Sequence, residues 1–215
     1  MPNQSNLPKE YQDGWTEFLG CRIDLSKHPL IPRPETEFWT QKVIEAINNP
    51  APIIPDRVLS VLDIFSGSGC VGIAVATRCP RAKVTLSDKK NYISTPISKN
   101  VKFIESDLFE NIADKFDLIL ANPPYIPEGK GVGGIMEYEP HEALYAGKDG
   151  LDVIRLFLEQ ASERLNDGGQ IWMEFGADQK ESITNLLRDF NYYQNSNCTF
   201  HKDQYQVWRW VVISM

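Results

Sequence analysis

The 215 residues carry 22 Lys and Arg against 29 Asp and Glu, a net charge of −7 and a pI near 5.0 that disfavour a protein gripping long nucleic acid through its phosphates. A hydrophobic share of 42% with 24% charged residues suits one globular unit with a sizeable core, and no apolar run reaches the length of a membrane span. Four dispersed cysteines, Cys21, Cys70, Cys79 and Cys198, lack C-x-x-C spacing, which argues against a zinc site or disulfide framework and fits reduced thiols in the cytoplasm.

In chain order, Met1 to Glu10 is polar and has no apolar signal core, and residues 1–14 read as a loosely attached lead. Trp15 to Asp24 reads as a bent strand or hairpin around Gly20. Leu30 to Glu37 is extended and then turns into a helix, with Pro34 in the first turn and Glu35 and Glu37 facing the positive end of the dipole. Phe38, Trp39, Val43, Ile44 and Ile47 recur at helical spacing, so that helix runs to about Asn48. Three prolines between Asn49 and Pro55 mark a linker. The expected division is a strand and helix lead-in over 1–50, packed on a core domain over 51–215.

The core domain opens with a strand over Val58 to Ile64, a glycine loop and a helix from about Cys70 to Cys79. Further strands are expected at Lys83 to Ser87, Val101 to Glu105 and Phe116 to Ala121, the last an apolar run with the look of a buried parallel strand. Ile126 to Gly150 has no period and is long enough to suspect a functional loop. Leu151, Ile154, Leu158, Ala161 and Leu165 mark a helix stopping at Asp167-Gly168-Gly169, before a strand from Gln170 to Phe175 and a helix from Asp178 to Phe190. Tyr192 to Phe200 and Tyr205 to Ile213 are separated by a short turn and can pair only antiparallel. A mostly parallel α/β sheet ending in an antiparallel hairpin is the outline of the Rossmann-like class I methyltransferase fold.

Gly67-Ser68-Gly69-Cys70-Val71-Gly72 matches G-x-G-x-x-G between a strand and a helix, with Asp88 ending the next strand, where a carboxylate accepts from both ribose hydroxyls. That match serves NAD, FAD or S-adenosylmethionine alike. The Asp63-x-x-x-Gly67-x-Gly69 spacing, running through Phe65, Ser66 and Ser68, favours S-adenosylmethionine, with Asp63 toward the methionine ammonium. Asp107 is a candidate acceptor for the adenine amino group and Leu108 for packing on its ring, although Asp107 could equally be an exposed turn carboxylate.

Asn122-Pro123-Pro124-Tyr125 ends the buried Phe116 to Ala121 strand abruptly, because two prolines have no N–H and hold φ near −65°. At the carboxyl end of a parallel strand, the Asn122 side chain and the Pro123 carbonyl would face the ligand crevice as free acceptors, able to take both protons of a substrate NH2 group, with Tyr125 packing on a flat side chain.

These stretches together resemble a known family. Leu30-Ile31-Pro32-Arg33-Pro34-Glu35-Thr36-Glu37, the Asp63 to Gly69 loop, Ser106-Asp107-x-Phe109, Asn122-Pro123-Pro124-Tyr125 and Glu139-Pro140-x-x-Ala143-Leu144 occur in the order of the peptide chain release factor glutamine methyltransferases, the HemK/PrmC family. The resemblance implies S-adenosylmethionine-dependent N5-methylation of a protein glutamine, classically in the Gly-Gly-Gln motif of a release factor, by a cytoplasmic monomer needing no metal. It also implies that Asn122, Pro123 and Tyr125 act on the glutamine, with Pro124 beside them; Arg33 and Glu35 either close the site by pairing with the Glu139 loop, contact the substrate, or form a plain surface ion pair at the helix start. The sequence departs from the family in having few residues ahead of Trp15, where a helical domain is usual, in joining its second and third core strands by only Lys89 to Asn100, and in placing Lys89 where an apolar residue commonly lines the adenine pocket.

Rival readings are an adenine-N6 methyltransferase acting on DNA or RNA, which presents the same planar NH2, methylation of a ribosomal protein glutamine, a nicotinamide oxidoreductase, and a cofactor-binding module without catalysis. The acidic pI counts against the first, and Asn-Pro-Pro-Tyr is unexplained by the oxidoreductase.

Overall fold

A seven-stranded sheet with helices on both faces organises the chain, and a computed structural model describes residues 7–49, 58–94, 98–131 and 133–215 of it. The first element, α1 (Lys9–Asp13), stops at Gly14 with φ 72°. Its Tyr11 is buried, donates its hydroxyl to the Pro29 carbonyl at 2.6 Å and stacks on His28 at 4.4 Å. Residues 9–13 are therefore docked by specific contacts and are not the loose lead expected, while residues 1–6 lie outside the described ones. β1 (Trp15–Phe18) and β2 (Cys21–Asp24) form the expected hairpin, with Phe18 opposite Cys21 and positive φ at both turn residues, Leu19 (49°) and Gly20 (76°), as a two-residue primed turn requires.

Pro34 does occupy the first turn of α2 (Pro34–Asn48), and the helix buries Trp39, Val43, Ile44 and Ile47. Glu37 accepts the Leu19 N–H at 2.6 Å, tying the hairpin to this helix. Apart from Asn49, the linker expected up to Pro55 lies outside the described residues.

The core units follow in order: β3 (Leu59–Ile64), α3 (Cys70–Arg78), β4 (Ala82–Asp88), β5 (Val101–Glu105), β6 (Phe116–Ala121), α4 (Asp152–Ala161), β7 (Leu165–Glu174), α5 (Lys180–Asp189), β8 (Asn197–Lys202) and β9 (Trp208–Ser214). The sheet order is β5-β4-β3-β6-β7-β9-β8, parallel from β5 to β7 and antiparallel thereafter. Every residue of β6 is buried, and alternation sends its side chains to opposite layers. Leu118 and Leu120 join the core under α2 and α3, whereas Ile119 and Ala121 join the core under α4 and α5.

Several boundaries differ from expectation; β9 begins at Trp208 and not Tyr205, because the Asp203 carboxylate accepts the Tyr205 and Val207 N–H groups in a turn. The α4 helix ends at Ala161, and Asp167-Gly168-Gly169 lies inside β7 instead of stopping a helix, because Leu165 already pairs with Phe116 and the register then slips until Gln170 meets Leu118. β8 begins at Asn197, not Tyr192, because Asn191–Tyr193 coils into a 3-10 turn whose Tyr193 hydroxyl is drawn 2.8 Å from the Leu158 carbonyl.

The β4–β5 connection shows no helix among its described residues. Lys27 holds it from outside, donating to the Asn91 and Ile93 carbonyls at 3.0 and 2.9 Å. The loop over Ile126 to Gly150 is organised by two 3-10 turns, Gly134–Tyr138 and His141–Ala143, and by a bridge between Ile126 and Tyr145.

Candidate active site

Because β3 lies between β4 and β6, the connections leaving β3 and β6 turn to opposite faces of the sheet and open a cleft at the carboxyl ends of the strands. The β3–α3 turn forms its floor. Phe65, Gly67 and Gly69 there all have positive φ, at 60°, 50° and 79°. Gly69 donates its N–H to the Ser66 carbonyl at 2.7 Å, and Gly67 donates to the Asp88 carboxylate at 2.8 Å. Gly72 allows α3 to approach the sheet: a methyl group there would stand 2.3 Å from Leu86 and 2.9 Å from the Asp63 carboxylate. Gly67 and Gly69 thus serve the backbone angles of the turn, and Gly72 the close approach of helix and sheet.

Asp63, Phe65, Ser66, Gly67, Ser68, Asp88, Leu108 and Asn122 all line this cleft, as expected. Gly69 does not, since it shapes the turn and packs against Ile93. Asp107 does not either: its carboxylate pairs with Lys89 Nζ at 2.9 Å and borders a neighbouring recess that shares Phe65, Leu108 and Val153 with the cleft. Leu108 reaches the cleft with φ 47°, and with Phe65 and Val153 it supplies an apolar wall for a flat ring. Non-glycine residues in this left-handed region are strained by roughly 1–3 kcal/mol each, and here both lie on the ligand side.

The cleft suits an adenosyl sulfonium cofactor. Asp88 keeps acceptor capacity beyond its Gly67 bond, the apolar wall faces it, and the buried Ser66 hydroxyl on the glycine turn has no hydrogen-bond partner among the described residues. Asp63 is fully enclosed; burial first and the charge of Asp88 second push its pKa up to about 7, against the N–H it receives from Gly72 at 2.8 Å. Burial likewise raises Asp88.

A second recess adjoins the first and shares Leu30, Arg33, Asn122, Pro124 and Ala143 with it. Pro123, Tyr125, Glu35 and Glu174 complete its lining on the far side, together with Ile126, Met136 and Leu144. Arg33 lines both recesses and pairs with Glu139, one of the alternatives expected for it; the Glu139 side chain is wholly buried and also accepts the Ile31 N–H at 2.9 Å. Glu35 lines the second recess.

Thr36, Trp39 and Glu174 were outside the expected site set. Glu174, 1% exposed at the end of β7, accepts from Thr36 Oγ1 at 2.7 Å, Trp39 Nε1 at 2.6 Å and the Tyr125 hydroxyl at 3.2 Å, and burial drives its pKa upward against these donors. Its sequence signal was available: like Asp63 and Asp88, it is an acid near the carboxyl end of a core strand. Gln179 is the other unexpected member, bridging the Tyr125 and Gly150 carbonyls at 2.9 and 3.2 Å.

Gly150 has φ 76°, and a Cβ there would sit 2.2 Å from the Tyr125 carbonyl oxygen. Gly150→Ala is therefore expected to lower stability by roughly 1–3 kcal/mol, read as a fall in melting temperature, and to displace Tyr125. An unchanged melting curve would show that the loop yields freely.

Comparison with known proteins agrees with this geometry. Residues 43–137 match the methyltransferase small domain family. A release factor glutamine methyltransferase of Clostridium botulinum is 35% identical over 204 residues, covering 88% of this chain and 70% of that protein, and one of Streptococcus pneumoniae is 34% identical over 219 residues, covering 97% and 75%. Among solved structures, a release factor-specific protein-(glutamine-N5) methyltransferase of Alicyclobacillus acidocaldarius superposes with a TM-score of 0.53 at 20% identity, covering 86% of this chain and 94% of that one. A ribosomal protein L11 methylase of Lactobacillus delbrueckii gives 0.56 at 18%, covering 89% and 82%; both likenesses concern the fold. With identity above 30% across more than two thirds of such relatives, this chain belongs to the release factor glutamine methyltransferase family and is an S-adenosylmethionine-dependent enzyme of the class I methyltransferase fold.

Proposed function

We propose that the chain methylates the side-chain nitrogen of a glutamine in a peptide chain release factor, the Gly-Gly-Gln glutamine being the favoured target. The observation that carries this reading is that Asn122 and Pro124 line both recesses, so that two ligands would meet at the end of β6. We place the enzyme in the cytoplasm, where release factors work, and as a monomer.

S-adenosylmethionine, when bound, supplies an electrophilic methyl group. Asp88 would hold its ribose, Asp63 would face its ammonium, and Phe65 and Leu108 would pack on its ring. An amide nitrogen is a weak nucleophile because its lone pair is delocalised into the carbonyl. The chain's task is therefore to orient it: the Asn122 side-chain oxygen and the Pro123 carbonyl would accept its two protons and favour positive charge developing on nitrogen. Tyr125 would flank the planar side chain. No protein base is assigned, since the methylated amide, once cationic, is acidic enough to give its proton to water. Glu35 and Glu174 at the second recess disfavour a polyanionic substrate, which weighs against the nucleic-acid alternative.

Mass spectrometry of release factors incubated with the protein and labelled cofactor tests the assignment; one methyl on the Gly-Gly-Gln glutamine is the expected product, and label only on DNA or on a ribosomal protein would replace it. The cofactor reading has its own pH signature. An ammonium beside Asp63 stabilises the ionised carboxylate, so affinity is expected to weaken as pH falls through about 7, with a proton released on binding just below that pH. Titration calorimetry in buffers of different ionisation enthalpy measures that proton, and identical heats would separate Asp63 from the ammonium.

A further inference from the structure

We infer that Thr36 and Glu174 are positioning residues that set which way the Asn122 amide points. The inference deepens the glutamine reading of the same site and rests on it for its catalytic consequence, while the hydrogen-bond logic stands on geometry alone.

Trp39 Nε1 can only donate, and it lies 2.6 Å from Glu174 Oε2. That oxygen is therefore an acceptor and carries no proton. Thr36 Oγ1 lies 2.7 Å from the same oxygen, so the threonine must give it its single hydroxyl proton. Toward any other neighbour Thr36 then has only lone pairs. The neighbour is Asn122, whose Nδ2 stands 3.4 Å from Thr36 Oγ1. Only the NH2 end of the asparagine can satisfy that acceptor, so its carbonyl oxygen is left for the shared wall of the two recesses. Polarity thus passes from an indole N–H through a buried carboxylate and a hydroxyl to the amide. Tyr125 is fastened to the other oxygen of Glu174 at 3.2 Å, so one carboxylate registers both ends of the Asn-Pro-Pro-Tyr turn.

An asparagine flipped by half a turn would present N–H groups to a substrate NH2, donor against donor, and would repel what it is meant to hold. Thr36 removes that state. The residue also explains why an acid is enclosed here, at 1% exposure, with three donors around it.

Thr36→Val, close in shape but without the hydroxyl, is expected to lower kcat on the order of ten- to a hundredfold with cofactor affinity near that of the unmodified enzyme, and to lower the melting temperature by several degrees because the buried Glu174 loses one of its three donors. Thr36→Ser should bring turnover back. Wild-type kcat in Thr36→Val overturns the inference, as does a Thr36→Ser variant as impaired as the valine one, or a loss of cofactor affinity as large as the loss of kcat. A second readout needs no substrate. In 15N-labelled protein the Asn122 side-chain NH2 signal, identified by its loss in Asn122→Ala, should be protected from solvent exchange in the wild type and Thr36→Ser, and unprotected in Thr36→Val. Equal protection in all three defeats the inference even if methylation proceeds, whereas absence of glutamine methylation by the wild type strikes the functional reading and leaves this one to the exchange data.

Discussion

Asn122→Ala is expected to lower methyl transfer on the order of a thousandfold, while binding of S-adenosylmethionine persists. The strand that ends just before Asn122 is buried along its whole length and paired on both sides, so the substitution leaves the backbone in place and removes only the side-chain amide. What is lost is the acceptor that holds the substrate nitrogen and answers its growing positive charge. The cleft keeps Asp63, Asp88, the glycine turn and the apolar wall. A radiolabelled methyl assay beside titration calorimetry separates the two effects, and near-normal turnover would take Asn122 out of the reaction.

Asp88→Ala should act in the opposite sense, weakening the cofactor by about a hundredfold with little effect on the chemical step at saturation. Two hydrogen bonds from ribose hydroxyls to a carboxylate are worth about 1.5–3 kcal/mol each, which reaches that factor even at the lower end. The substitution also frees Gly67, whose N–H is now held at 2.8 Å. Stability of the ligand-free protein should move differently. Burial raises the Asp88 pKa, so the folded state holds a proton more tightly than the unfolded chain and loses stability as pH rises above the ordinary carboxylate range. At neutral pH, removing this acid is therefore expected to leave the melting temperature level or higher, while the upward shift caused by the cofactor largely disappears. Unchanged cofactor affinity would contradict the ribose assignment.

The middle of the sheet was legible in the sequence because β3, β4 and β6 are buried on both faces and read as near-continuous apolar runs, Phe116 to Ala121 being the plainest. The glycine turn and Asn-Pro-Pro-Tyr were legible for a different reason: each breaks its strand with residues whose backbone limits are known without a fold. Misreadings arose where tertiary pairing overrode local chemistry. Asp167-Gly168-Gly169 has the composition of a helix stop, yet Leu165 was already committed to Phe116 across the sheet. Asp107 follows its strand by two residues where Asp88 closes one, and only coordinates reveal that its carboxylate pairs with Lys89. Thr36 and Glu174 are 138 positions apart, and nothing local in either stretch announces that they touch.

The left-handed backbone at Phe65 and Leu108 has a consequence for how tightly a ligand can be held. Both follow strands held in register by their neighbours, which fixes the backbone leading into each turn. A nucleoside entering there meets walls already in place, and little of its attraction is diverted into ordering loops. The same arrangement costs the fold some of the stability its core supplies, so tolerance to heat is traded for readiness to bind.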